Sequence, residues 1–227
     1  MRNRLRQPLA AALFLCATAA ACAGRGTSAG AGEATDAAPR QAAPLAMFRS
    51  QPLVVTPVQR LRASDELGWA AAAGDANGQL AALDSAIAVA MRERGASGWA
   101  FASDVVRSAR RNPTMAPDPH ALAIDELLVK RLPAQLTGSL GSQLRAIVAF
   151  GGQRYVLVPA ELRYVRRADG RGEAVLRVVL VDSRLSQPLW SLDVHSAPAD
   201  AYSRALLAGV ANHLADLISP PDGASGA

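Results

Sequence analysis

The stretch from Tyr155 to Val194 constrains the fold more than any other part of the chain. Tyr155-Val156-Leu157-Val158-Pro159-Ala160-Glu161-Leu162-Arg163-Tyr164-Val165 and the run from Glu173 to Asp182 are aliphatic and β-branched, with few polar interruptions. Asp169-Gly170-Arg171-Gly172 lies between them and has the residues a tight hairpin requires, since glycine reaches positive φ at little steric cost. Ser183 to Gln187 form a second turn before Leu189-Trp190-Ser191-Leu192-Asp193-Val194. The pattern predicts a three-stranded antiparallel meander. Leu206, Leu207, Val210, Leu214, Leu217 and Ile218 then recur at helical spacing and predict a final helix from about Ser203 to Ile218, ended by Pro220-Pro221. Apolar strands of this kind need helices over the sheet faces.

The preceding hundred residues supply those helices. Leu53 to Leu61 is a β-rich run in which Pro57 implies an edge strand or a bulge. Asp75, Asn77 and Gly78 mark a loop. Leu80, Leu83, Ile87 and Met91 predict a helix that ends at Arg92-Glu93-Arg94, with Gly95 as its C′ residue. Gly98-Trp99-Ala100-Phe101 reads as a short strand. Ser103 then caps a helix from Asp104 to Arg111, stopped by Asn112-Pro113. Pro117-Asp118-Pro119 is a turn, Ala121 to Val129 a third helix, and Leu140, Leu144, Ile147 and Val148 a fourth, ended by Gly151-Gly152. No internal repeat is visible. The expected fold is α/β, a single-domain sandwich over residues 47–219. Its mixed β-sheet has a carboxy-terminal antiparallel meander and is covered by helices, with a loose tail at 220–227.

The amino terminus has a different character. Met1 to Arg6 is basic and Leu9 to Ala21 is apolar, too short to cross ~30 Å of hydrocarbon, which needs ~20 residues. Residues 1–21 therefore read as an export signal. Ala19-Ala20-Ala21-Cys22-Ala23 resembles a bacterial lipobox, with alanine where leucine is usual three residues before the cysteine. The resemblance implies cleavage before Cys22 and a thioether-linked lipid on it. Ala23, rather than aspartate, implies the outer membrane. The alternative is an ordinary Ala-x-Ala cleavage and a soluble periplasmic protein. Residues 23–46 are mostly small and polar, and cannot bury a core. They predict a disordered tether reaching roughly 25–30 Å from Cys22.

Charge and cysteine narrow the chemistry. The chain has 24 basic and 19 acidic residues, a formal charge of +5. Without Arg2, Arg4 and Arg6 of the leader this falls to +2, which gives no electrostatic footprint for nucleic acid. Both cysteines, Cys16 and Cys22, precede the folded body. That body holds no disulfide, cysteine metal site or thiol nucleophile.

From about Gln143 onward the pattern resembles a bacterial envelope family. A helix is followed by Gly151-Gly152-Gln153-Arg154-Tyr155-Val156-Leu157-Val158, then Val178-Val179-Leu180-Val181-Asp182, then Pro188-Leu189-Trp190-Ser191. The amino-terminal domain of TolB, the CsgG-type lipoproteins and the LpoB-type peptidoglycan-synthase activators are similar. Val54-Val55-Thr56-Pro57-Val58 matches their opening strand in kind. The resemblance implies a fold and an envelope role, not a chemistry. Departures are Pro159-Ala160-Glu161, where a glycine is usual, and the stretch from Trp99 to Pro133. No paired ~10-residue alternating segments suited to membrane hairpins occur, which argues against a secretion channel.

Candidate site residues are few. His120, His195 and His213 lack metal-ligand spacing, and no metal site or cofactor is expected. No GxSxG elbow and no glycine-rich phosphate loop occurs, so no catalytic set is expected. Glu161, Asp182 and Asp193 lie on or beside adjacent strands, and Glu161 and Asp182 are the candidates for ligand or acid–base work. The competing expectation pairs Glu161 with Arg163 or Arg177, and Asp182 with backbone donors of the following turn. Trp69, beside Ala70 to Ala73, is the candidate for an exposed partner contact, together with Pro117 and Pro119. The reading is a non-enzymatic, lipid-anchored outer-membrane protein facing the periplasm and binding another envelope component. The alternatives are a soluble periplasmic ligand-binding or enzymatic domain, and a subunit of a homo-oligomeric lipoprotein assembly.

Overall fold

Alternate residues of the two apolar runs point to opposite sides of one sheet, and both sides are buried. The structure is a computed structural model that describes residues 43–62, 64 and 66–219. The expected leader, Cys22, most of the expected tether and residues 220–227 lie outside the described residues. The elements are β1 (Leu53–Val55), β2 (Arg60–Arg62), α1 (Ala70–Ala73), α2 (Ala76–Glu93), α3 (Ala102–Arg111), α4 (Gly138–Ala149), β3 (Tyr155–Arg166), β4 (Gly172–Asp182), β5 (Gln187–His195) and α5 (Arg204–Asp216). Short 3-10 turns occur at Ala46–Phe48 and Ile124–Leu127. β3, β4 and β5 are the antiparallel meander; β1 and β2 both run parallel to β3, one beyond the other along its outer side. The sheet is therefore mixed, as expected.

One face carries Leu157, Leu162, Leu176, Val178, Leu180 and Val194 against α2 (Leu83, Ile87, Met91) and α5 (Leu206, Val210, Leu214). The other carries Val54, Val156, Val158, Val179 and Val181 against Val105 of α3, Leu140 and Leu144 of α4, and Leu122, Ile124 and Leu127 of the intervening segment. Burial on both faces explains why β3 and β4 read as continuous apolar runs rather than alternating ones.

Two prolines explain why the Leu53–Leu61 run is two strands rather than one. Pro159 has no N–H to give the neighbouring segment, and Ala160 is an extra residue in β3, between Pro159 paired with Val178 and Glu161 paired with Arg177. Opposite it, Pro57 interrupts the parallel ladder. The ladder resumes through Gln59 N–H to Pro159 O at 3.0 Å. The Val58 N–H, freed from the ladder, donates instead to Asp84 Oδ1 of α2 at 2.8 Å. The Gln59 side chain ties the same connector to the far loop: it donates to Pro119 O at 2.9 Å and accepts from Leu122 N at 3.0 Å.

Other boundaries differ from the sequence reading. Leu45 is fully buried and its N–H donates to Leu217 O at 2.9 Å, so the folded body begins before residue 47. Asp75 is the N-cap of α2, accepting from Gly78 N at 2.8 Å, so Asn77 and Gly78 are helical rather than loop. α3 starts at Ala102 with Phe101 as N-cap, and Asp104 accepts from Phe101 N at 3.2 Å; Ser103 lies inside the helix. The expected Gly98–Phe101 strand is a single bridge between Ala100 and Val54. The expected helix from Ala121 to Val129 is only the Ile124–Leu127 turn. The two N–H groups just ahead of that turn are met by side chains, Leu122 N by Gln59 and Ala123 N by Gln143, each at 3.0 Å.

Candidate functional site

Glu161 lies on β3 at the lower end of the α4-side face and is 4% exposed. Its carboxylate accepts from Arg60 of β2, at 3.2 Å from Nε and 2.9 Å from Nη2, and lies 3.8 Å from Arg62. Arg177 is its register partner across β4, yet the guanidinium is used elsewhere. Arg177 donates to Leu127 O at 2.8 Å and Val129 O at 2.9 Å and pairs with Asp193 at 3.4 Å. Arg163 also pairs with Asp193, at 2.7 Å. The partners expected for Glu161 therefore serve Asp193, and the neighbouring parallel strand supplies the actual one. Burial would raise Asp193, but Arg163 and Arg177 outweigh it and hold its carboxyl below the usual range. The cluster clamps the 127–129 backbone onto the sheet.

Asp182 closes β4 and is 2% exposed. It accepts from Arg154 Nε at 2.8 Å, Arg184 N at 3.1 Å and Leu185 N at 3.3 Å, the turn donors expected for it plus an arginine. Burial alone would raise its carboxyl; the arginine and the two N–H groups outweigh burial and hold it low. Asp182 lies opposite Tyr155 in the β3 register, whereas Glu161 lies on β3 itself, beyond the bulge. At ~3.3 Å per residue the two carboxylates are roughly 20 Å apart. The structure does not bring them together, and each has its own arginine.

Trp69 is 8% exposed, not a surface contact. Its ring packs edge-on against Tyr164, at 5.8 Å between centroids, and against Tyr202 at 6.2 Å. A Cβ added at Gly172 would strike it. The reason is local: α1 turns the alanine run outward to solvent and the indole inward beneath β3. The Tyr164 hydroxyl donates to Gln79 Oε1 at 2.7 Å, and burial with neighbouring Tyr202 raises the phenol far above its ordinary value. Pro119 is buried where its carbonyl meets Gln59, and Pro117 is half-buried. Met115, in the same loop, is exposed. The imidazole rings of His195 and His213 have different partners. His195 Nδ1 lies 3.0 Å from Glu173 Oε1, His213 is bonded to His195 O, and His120 is exposed in the Pro119 turn.

What the sequence reading did not single out is the outer side of β5. β5 pairs only with β4, and among the described residues no backbone group bonds its outer edge from Gln187 to Val194. A bulge at Leu189, between the Pro188–Val181 and Trp190–Leu180 pairs, turns an extra leucine outward. Leu185 in the preceding turn is 53% exposed, Leu189 41% and Leu192 40%. Trp190 is half-buried between them and the α5 side, and its indole N–H is buried without an acceptor among the described residues. An unpaired strand with exposed leucines is a template for an added strand. The signal was present in Leu189-Trp190-Ser191-Leu192, whose apolar content exceeds what a last strand needs for one buried face.

No protein-family model matches the chain, and no curated protein matches it. Among solved structures it is similar to the PelC dodecamer from Paraburkholderia phytofirmans, at 15% identity and a TM-score of 0.37, covering 74% of this chain and 90% of that one. It is also similar to the LpoB C-terminal domain from Salmonella enterica, at 15% identity and a TM-score of 0.34, covering 67% and 93%. A third is the lipoprotein GNA1162 from Neisseria meningitidis, at 18% identity and a TM-score of 0.36, covering 69% and 90%. LpoB is among the proteins whose pattern the sequence resembles.

Proposed function

We propose that the chain is a non-enzymatic, lipid-anchored cell-envelope protein that binds another envelope protein by taking an extended segment of it along β5. The observation that carries the docking reading is the free β5 edge with Leu189 and Leu192 exposed beside it. Backbone groups of the edge supply affinity in such a mode, and side-chain contacts supply selectivity. The leader, the Ala21-Cys22 junction and the small-residue stretch to residue 46 support the anchor and an outer-membrane, periplasm-facing location. The arginine partners of Glu161 and Asp182, and their separation, favour a binding role over acid–base chemistry on the strands.

In-cell crosslinking of the full-length protein, followed by mass spectrometry, tests the reading. The wild type should capture one envelope protein, and Leu192→Lys should lose that capture at unchanged thermal stability, because the side chain is exposed. Equal capture by both proteins, or bystanders only, refutes the edge as the docking surface. Capture of the chain by itself alone would assign the edge to a homo-oligomer instead.

A further inference from the structure

A second surface, independent of β5, lies between α2 and α3. The two helices leave an open groove of about 560 Å³. Arg107, Arg110 and Arg111 line it from α3, with Ser103 one turn earlier, Asp84 from α2 and His120 from the Pro119 turn. Positions 107, 110 and 111 are three and four residues apart, so the three guanidiniums share one helix face and repel one another. Arg107 is compensated by Asp104 at 3.0 Å. Arg110 and Arg111 have no carboxylate within ion-pair distance among the described residues. The C-terminal pole of α3 accounts for a cation in its last turn. It does not account for the facing His120 or for the space between the helices. Asp84, the one acid lining the groove, is committed to Val58 N–H, and burial keeps it partly protonated near neutral pH, so it neutralises the arginines poorly.

We propose that this groove is a phosphate-binding site, with Arg110 and Arg111 as forked donors and His120 and Ser103 as further donors to the same ligand. Guanidinium planes match phosphate oxygens two at a time, whereas a chloride ion uses neither fork fully. The volume falls within the range of small-molecule pockets and admits a phosphate with a short organic group. The phosphate comes either from a lipid head group or from a free phosphate compound. The chemistry at the guanidiniums is the same in both cases.

The test uses the full-length protein in uncharged detergent micelles at fixed ionic strength. Inorganic phosphate and glycerophosphoethanolamine are titrated separately by calorimetry into the wild type, the Arg110→Gln/Arg111→Gln double variant and an Arg131→Gln control. The wild type and the control should bind saturably, and the double variant roughly tenfold or more weaker, since two charge-assisted contacts are lost. All three should keep the same thermal midpoint, because these arginines are exposed. Tighter binding of the diester assigns the site to a lipid head group; tighter binding of inorganic phosphate assigns it to a free phosphate compound. Absence of saturable binding to either probe, equal affinity in the double variant, or an equal loss in the control overturns the proposal.

Discussion

Replacing Asp84 with asparagine should stabilise the protein above neutral pH and leave it nearly unchanged at pH 4. The Asp84 carboxyl is half-buried and accepts one hydrogen bond, from Val58 N–H. Burial pushes its pKa from 3.8 up to about 7, and the hydrogen bond opposes that rise without cancelling it. A raised carboxyl pKa means that the folded protein holds the proton more tightly than the unfolded chain. Stability from this group is therefore complete below about pH 4, declines as pH rises, and is lost above about 7. At ~1.4 kcal/mol per pH unit the interval corresponds to about 4 kcal/mol, and solvent access to a half-buried group lowers it to the order of 2 kcal/mol. Asparagine keeps an acceptor for Val58 and never ionises. Glu173, Asp182 and Asp193, held low by their partners against the effect of burial, act in the opposite sense and in more acid solution. They are common to both proteins and cancel in the difference. Urea unfolding at pH 4, 6 and 8 should show the two proteins converging in acid and separating by roughly 2 kcal/mol at pH 8. A variant no more stable than wild type at pH 8 would show that the buried carboxylate ionises without penalty, and would refute the reasoning.

Trp69→Ala should cost about 3–5 kcal/mol in chemical unfolding, the range for removing a buried aromatic; a loss below about 0.5 kcal/mol would restore Trp69 as a surface contact. Arg177→Met should release the 127–129 backbone and cost roughly 1.5–3 kcal/mol, the range for hydrogen bonds to a charged group. Limited proteolysis should then cut first between residues 122 and 136, and an unchanged cleavage pattern would count against the clamp. Cys22→Ala should abolish metabolic labelling with radioactive fatty acid, and retained labelling would sink the lipobox assignment.

The meander and its closing helix were legible because their signals are local. Asp169-Gly170 fixes one turn, and the aliphatic runs on either side can only be buried strands. Signals that depend on distant partners were not legible. Glu161 stands opposite Arg177, as cross-strand logic requires, but the parallel neighbour β2 brings Arg60, and nothing near residue 161 indicates that neighbour. Trp69 sits beside four alanines, which say nothing about whether the indole faces inward. Asp84 was legible in principle: it falls on the same stripe as Leu80, Leu83 and Ile87, where an acid needs a partner. The segment from Ala121 to Val129 has helical content, yet Gln59, more than sixty residues earlier, takes the Leu122 N–H.

The parallel pairing of Leu53 with Tyr155 has a consequence for the order in which the molecule assembles. The first strand leaves the ribosome about a hundred residues before the strand it must join. Closing a loop of that length is slow, and contacts so distant in sequence come late. β3, β4, β5 and α5 are consecutive and can associate without it. An intermediate of this kind has two open edges, β5 and the side of β3 that β1 and β2 will cover, so the newly made chain is stickier than the finished one. The interval before β1 and β2 dock is thus when the chain is most exposed to edge-to-edge association.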